Sequence, residues 1–389
     1  MYLLAKPRNP SDSVLAAVKS NLLATWTNLR GWHTSRKLVV IESDDWGAIR
    51  MPGRDAFENL LAAGIRVDRS RYDSLDCLED AEDFQALMNV IERHRDSVGR
   101  PAVFTFNTVM GNPDFERIEN DDFECFHHQH LFDSYRTYHD QDLEPLWREA
   151  IDLGWIRPQL HAREHLNSPL WMHDLQQGNE ETQLGFSYRF YGLKTRTSSP
   201  VQKSYLAACW PDSISDLEYI IEITRDGLDC FEQTFGYPSR TFIACNYVWP
   251  AALEAPLAER GVEMLQGQRA QLRPDPEQGG RLQIRRHYTG QNGGQSLRYS
   301  VRNVLFEPYM DENTDWANRA INEVAQSFRF NKPAVISTHR INYVSGMSQS
   351  HRDGNLKQLD DFLSRLRQRW PDVEFITSDE LCDLMKDKE

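Results

Sequence analysis

Two carboxylates stand side by side in Glu42-Ser43-Asp44-Asp45-Trp46-Gly47, immediately after an apolar run at residues 37–41. Adjacent acids repel, so a fold that keeps both has a use for at least one of them. One can ligate a cation while the other stays free as a base for a nearby water; the plainer alternative is a helix N-cap followed by a first-turn charge. A second signal is His161 and His165, an H-x-x-x-H directly after the apolar residues 156–160. If the chain turns helical there, residues four apart share a face and both imidazoles reach one ion; without a metal they are two polar loop histidines. A third is Ala334-Val335-Ile336-Ser337-Thr338-His339, a buried-strand pattern ending in a histidine whose ordinary pKa near neutrality suits a proton donor. Two histidines and one aspartate leave a coordination position open for water, the pattern of a catalytic zinc centre.

These residues need a scaffold that gathers strand ends. Short apolar runs at 37–41, 102–106, 156–160, 241–245, 262–265, 304–306, 334–338 and 373–376 alternate with stretches of helical spacing such as Phe84/Leu87/Met88/Ile91 and Ile321/Val324/Ala325/Phe328. Such alternation predicts an α/β protein with a parallel sheet, and eight strand candidates suit a (β/α) barrel. All three signals fall at the carboxyl ends of predicted strands, where parallel α/β proteins place their sites. Residues 1–36 read as a helical extension, its amphipathic part between Ser11 and Leu29. Residues 37–389 read as one barrel domain with insertions near 111–142, 166–211 and 273–302, and long irregular insertions in a compact domain tend to be binding loops.

Composition narrows the classes. Among 389 residues, 58 acids against 44 Lys and Arg give a net charge of −14, which disfavours a nucleic-acid binder. The 40% hydrophobic and 11% aromatic content supports a large core. Six cysteines without a C-x-x-C pair suggest neither a disulfide framework nor a cysteine-type zinc knuckle. The run from Tyr2 to Ala5 is too short for an export signal or a membrane span, so the expectation is a cytoplasmic chain without a transmembrane segment.

In spacing and order the motifs resemble the NodB-homology polysaccharide deacetylases, the fourth family of carbohydrate esterases, which use a distorted (β/α) barrel and a divalent metal. Residues 42–47 occupy the place of that family's Thr-Phe-Asp-Asp-Gly, and Ala102-Val103-Phe104-Thr105-Phe106 is similar to its next strand. The resemblance implies Asp44 as catalytic base, Asp45, His161 and His165 as metal ligands, and His339 as catalytic acid. It spans residues 37–384. It implies hydrolysis of an acetyl group from an N- or O-acetylated saccharide, in surface polysaccharide or glycoconjugate metabolism. Zinc is the expected ion, with iron, cobalt and manganese open.

The chain also departs from the family. Where an arginine normally braces the base, the sequence reads Asn246-Tyr247-Val248-Trp249-Pro250. The expectation is that Asn246 replaces the arginine, that Arg163 compensates, and that Asp44 is less acidic than in the family. A backbone N–H between Asn246 and Trp249 is expected to serve the oxyanion, and His287 and Tyr288 to offer donors and an aromatic face to a sugar. Trp46 and Trp249 either stack on a pyranose or wall the core. His127, His128, His130 and His139 are too irregularly spaced to favour a second metal site. Two other readings stand beside the hydrolase: a two-histidine, one-carboxylate Fe(II) oxygenase, which expects a β-rich double sheet, and a degenerate deacetylase fold that only binds glycan or a partner.

Overall fold

The computed structural model describes residues 29–386. The amphipathic pattern between Ser11 and Leu29 therefore lies almost wholly outside the described residues.

The first strand, β1 (Lys37–Trp46), explains the rest of the architecture. Its Leu-Val-Val-Ile run is buried at every position, the signature of a strand covered on both faces. Along the chain follow β2 (Phe104–Val109), β3 (Gly111–Pro113), β4 (His128–His130), β5 (Ile156–Ala162), β6 (Thr241–Phe242), β7 (Met264–Gly267), β8 (Ala270–Asp275), β9 (Arg281–Arg286), β10 (Gln291–Asn292), β11 (Arg298–Val301), β12 (Val304–Leu305), β13 (Ala334–His339) and β14 (Val373–Ile376). Ten of them form one sheet in the order β10-β11-β7-β6-β5-β2-β1-β13-β12, with β14 also paired to β1. Every pairing in it is parallel except β10 with β11. The edge strands β10 and β12 do not pair with each other, so the barrel is a curled sheet left open. This is not the double sheet that the oxygenase reading requires.

Parallel strands need crossover helices, and the apolar spacings supply them at Ala81–Arg93, Glu144–Asp152, Ile214–Phe235, Trp316–Arg329 and Gln349–Arg369. The longest of these, Ile214–Phe235, starts from a capping box in which Ser213 accepts from the Asp216 N–H, and ends at Gly236 in the left-handed region at φ 78°. Its Ile220, Leu228, Phe231 and Phe235 join the main core, with Phe84, Phe104, Phe106 and Trp147. The two long insertions are not loose loops. Phe115 and Ile118 from the first, and Trp171, Phe186, Tyr191 and Tyr205 from the second, pack into a separate apolar cluster with Ile49 and Met51. The insertion near 273–302 holds most of the hairpin of β8 and β9, exposed along β9, and then β11, a sheet strand the sequence pattern does not announce. Among the described residues no helix is long and apolar enough to cross a membrane.

Candidate metal and acid–base site

Because β1, β5 and β13 run parallel, their carboxyl ends bring Asp44, Asp45, His161 and His339 to one mouth of the sheet. Asp44 and Asp45 would point to opposite faces of a regular strand. Here β1 is bulged against β2: Ser43 pairs with Phe106 but Trp46 pairs with Thr108, so three steps on β1 oppose two on β2. Asp45 adopts φ 75° within that bulge. The bulge re-aims one side chain, and both acids serve a single cleft.

Asp45 Oδ1 lies 3.3 Å from His161 Nε2 and 3.2 Å from His165 Nε2, with all three side chains buried. A tetrahedral ion with bonds of about 2.0–2.1 Å has ligand–ligand edges of about 3.3 Å, so these separations fit a shared cation. His161 Nδ1 is 2.8 Å from the Ile243 carbonyl oxygen. A carbonyl only accepts, so Nδ1 carries the hydrogen and Nε2 faces Asp45, the usual orientation of a metal-ligating imidazole. Burial pulls the His161 pKa down, but Cys245 and Asp45 outweigh it and push the imidazole up to about 9. The pocket favours positive charge at this point. Arg50 Nη2 donates to Asp45 Oδ2 at 2.9 Å, which leaves Oδ1 as the oxygen directed at the histidines. Burial works against ionisation of Asp45, yet Arg50 and His165 hold it well below the usual carboxylate range. The H-x-x-x-H geometry differs from expectation: His161 belongs to β5 and His165 to the bend after it, so a strand end and a turn, not a helical face, bring the rings 5.0 Å apart.

Asp44 meets an arginine, but neither by the route nor from the residue expected. Arg302, immediately after β11, donates from Nη1 to Oδ2 and from Nη2 to Oδ1, both at 2.6 Å. Its Nε donates to Glu42 Oε2 at 2.7 Å, and Asn107 Nδ2 donates to Asp44 Oδ1 at 2.7 Å. Burial would raise the Asp44 pKa; the Arg302 charge and hydrogen bonds prevail and lower it to about 2. This corrects the expectation of a less acidic Asp44. Asn246 is exposed, and Arg163 is engaged by Glu164 at 2.6 Å and Asp226 at 2.8 Å, so neither fills the arginine's place.

His339 Nε2 stands 3.5 Å from Asp44 Oδ2, and its Nδ1 lies 2.5 Å from Glu307 Oε1. Glu307 Oε2 in turn accepts from Asn342 at 2.8 Å. Burial lowers the His339 pKa, but Glu307, Asp44 and Asp45 together carry it to about 9. The cleft thus contains an ionised acid and a protonated imidazole side by side at neutral pH, a division of roles imposed by their surroundings. Tyr72 packs edge-on against His339 with centroids 5.9 Å apart, and Tyr309 packs against Tyr72 at 5.1 Å.

The other candidates lie elsewhere. Trp46 is stacked on Phe106 at 3.7 Å and Trp249 is 3% exposed, so both wall the core. The N–H groups of Tyr247, Val248 and Trp249 already donate to Ala244, Cys245 and Leu272, which removes them as oxyanion donors. His287 is sandwiched between Tyr299 and Trp249, with Nε2 2.8 Å from Gln271 Oε1. The backbone N–H of Tyr288 donates to Gln291. His127, His130 and His139 are bound separately to Asp121, Thr234 and the Leu78 carbonyl. Cys245 joins the same two histidines: ligand atoms of His161, His165 and Cys245 lie within 4.8 Å of one another, all three residues buried. Arg302, Glu307, Glu42, Arg50 and Cys245 are the site residues that motif reading misses. Arg302 and Glu307 both follow predicted or observed strand ends, the same signal that marks Asp44.

No family model and no curated protein matches the chain. Solved structures do. A protein from Parabacteroides distasonis assigned as a glycoside hydrolase/deacetylase is 11% identical over 92% of this chain and 73% of its own, with a TM-score of 0.48. One from Mycobacterium smegmatis assigned as a polysaccharide deacetylase is 11% identical over 92% of this chain and 93% of its own, with a TM-score of 0.47. The 4-alpha-glucanotransferase from Thermococcus litoralis is 12% identical over 90% of this chain, with a TM-score of 0.42, and the chain spans only 40% of its length. These are likenesses of fold and say nothing of the side chains that fill the site.

Proposed function

We propose that the chain is a metal-dependent hydrolase that removes an acetyl group from an N- or O-acetylated saccharide. The observation that carries the reading is the position of Asp45 Oδ1, 3.3 and 3.2 Å from the Nε2 atoms of His161 and His165, with Asp44 and His339 facing each other alongside.

Asp45, His161 and His165 would hold the ion. When bound, a divalent cation supplies Lewis-acid polarisation of the acyl carbonyl and lowers the pKa of water from about 15.7 to about 7, which narrows the gap a weak base must bridge. Asp44, kept anionic by Arg302, orients the attacking water and takes its proton as the C–O bond forms. His339, kept protonated by Glu307, gives its proton to the departing amine or alcohol as the C–N or C–O bond breaks. Acetate and the free sugar group leave. Tyr72 and Tyr309 provide half-buried aromatic surface next to His339 for a pyranose ring. The saccharide substrate follows from the motif resemblance, and Zn is the ion that best suits carboxylate with imidazole.

The test is metal analysis of protein purified without added ions, paired with acetate release from a panel of acetylated saccharides. About one equivalent of metal, and acetate release that disappears on chelation and in Asp45→Ala, is the expected result. Release that survives both overturns the reading.

A further inference from the structure

Cys245 is fully buried and sits where the chain leaves β6, in a short turn over Cys245–Tyr247. The carbonyl two residues before it, that of Ile243, fixes His161 through the 2.8 Å bond to Nδ1. One segment therefore orients the first imidazole and delivers a sulfur to the same place. The Sγ atom, a nitrogen of His161 and a nitrogen of His165 lie within 4.8 Å of one another, all buried. His165 adds a second sign of a polar centre, since its Nδ1 is buried without a hydrogen-bond partner. None of the other five cysteines belongs to such a cluster: Cys77, Cys209 and Cys382 are packed in apolar surroundings, Cys230 is partly buried against the main core, and Cys125 is exposed.

A buried cysteine is usually a small apolar filler. At Cys245 that role does not account for the convergence of two imidazoles on its sulfur. We propose that Cys245 is a direct thiolate ligand of the ion held by His161 and His165, so that the centre selects a thiophilic cation such as Zn²⁺ or Co²⁺ over Mg²⁺ or Mn²⁺. The proposal rests on the metal-hydrolase reading above and deepens it. Soft thiolate favours zinc and its neighbours, whereas sites built for magnesium or manganese use oxygen donors. Catalytic zinc commonly keeps three protein ligands, but it can expand from four to five ligands in the transition state, so a fourth protein donor still leaves room for a reacting water.

The experiment strips the full-length protein of metal with a chelator under reducing conditions and titrates it with Co²⁺. The expected result is one equivalent bound with near-ultraviolet thiolate-to-cobalt charge-transfer absorption. In Cys245→Ser and Cys245→Ala that absorption is absent and the metal binds at least tenfold more weakly, whereas Cys209→Ser retains it. X-ray absorption of the zinc-loaded wild type needs no variant: a sulfur neighbour at about 2.3 Å is expected beside nitrogen and oxygen at about 2.0 Å. A stoichiometric cobalt or zinc complex with no sulfur neighbour, and unchanged affinity in Cys245→Ser, overturns thiolate ligation and leaves the hydrolase reading intact. Failure of the folded wild type to bind any of these ions overturns both.

Discussion

Arg302 grips Asp44 through two 2.6 Å hydrogen bonds, although the two residues are 258 positions apart. A bidentate guanidinium–carboxylate pair fixes the acid in both position and charge. It accounts for an Asp44 pKa near 2 in a fully buried setting. Asp44 protonates only as pH falls through that value, so the acidic limb of activity lies well below neutrality. Arg302→Met is expected to lower kcat by about a hundredfold or more and to move the acidic limb upward by a unit or more, toward the ordinary carboxylate value near 3.9. A pH profile of acetate release on folded variant protein measures both. An unchanged acidic limb would show that Arg302 acts on folding alone.

Glu307 is the counterpart on the other side of the cleft. His339 can donate a proton only while it holds one, so activity is expected to persist up to its pKa of about 9 and to decline above it. Glu307→Gln removes the carboxylate charge that offsets burial, so the alkaline limb is expected to fall toward the ordinary histidine value of about 6.5. The same shift predicts a stability trend. A histidine raised in the folded state stabilises fully below about 6.5 and loses that contribution as pH rises through about 9. Urea midpoints of the wild type should therefore decline across that window more steeply than those of Glu307→Gln.

How far the chain's sequence discloses this site depends on the length of the strand that carries each residue. Asp44, His161 and His339 end runs of five or more mostly buried residues, and a parallel sheet must place such ends together. Arg302 directly follows a strand of four residues and Glu307 lies two residues beyond a strand of two, both too short to show a period, and nothing local encodes a partner 258 positions away. The position of Asn246 therefore misleads: an arginine does meet Asp44, but it follows β11 and not β6. The bulge at Asp45 is equally silent, because φ 75° is a property of the pairing with β2 and not of the apolar pattern. The insertions are visible as interruptions, while the apolar cluster they share becomes apparent only when the two are side by side.

Arg50 joins the site to the fold's buried charge. Its Nη2 holds Asp45 Oδ2 at 2.9 Å and its Nε lies 3.2 Å from Asp76 Oδ2; Asp76 also accepts from Arg340 at 3.0 Å. Removing one member of a buried ion network strands the others. Arg50→Gln is expected to destabilise the protein by about 3–5 kcal/mol, read as a lower denaturant midpoint. Where the variant is studied folded, at low temperature, Asp45 loses the bond that commits Oδ2, and zinc affinity should change by about tenfold or more. Unaltered stability would mean that water or a rearranged Arg340 compensates.

Gly47 sets the turn that follows the paired acids, and no other residue fits there. Its φ is 83°, where an L side chain is strained, and an added Cβ would come within 2.2 Å of Leu131 Cδ1. Its N–H donates to Glu79 Oε1 at 3.1 Å and its carbonyl accepts from Asn112 Nδ2 at 2.7 Å, so the backbone cannot swing aside without losing buried hydrogen bonds. Gly47→Ala is expected to cost about 1–3 kcal/mol from the backbone conformation alone, with repacking of Leu131 in addition. Because Asp45 lies two residues upstream in the bulge, the variant should also bind zinc more weakly. Pairing it with Leu131→Ala separates the causes: relief of the contact restores part of the stability, whereas the conformational cost remains. Full recovery in the double variant would assign the whole effect to crowding and none to the left-handed turn.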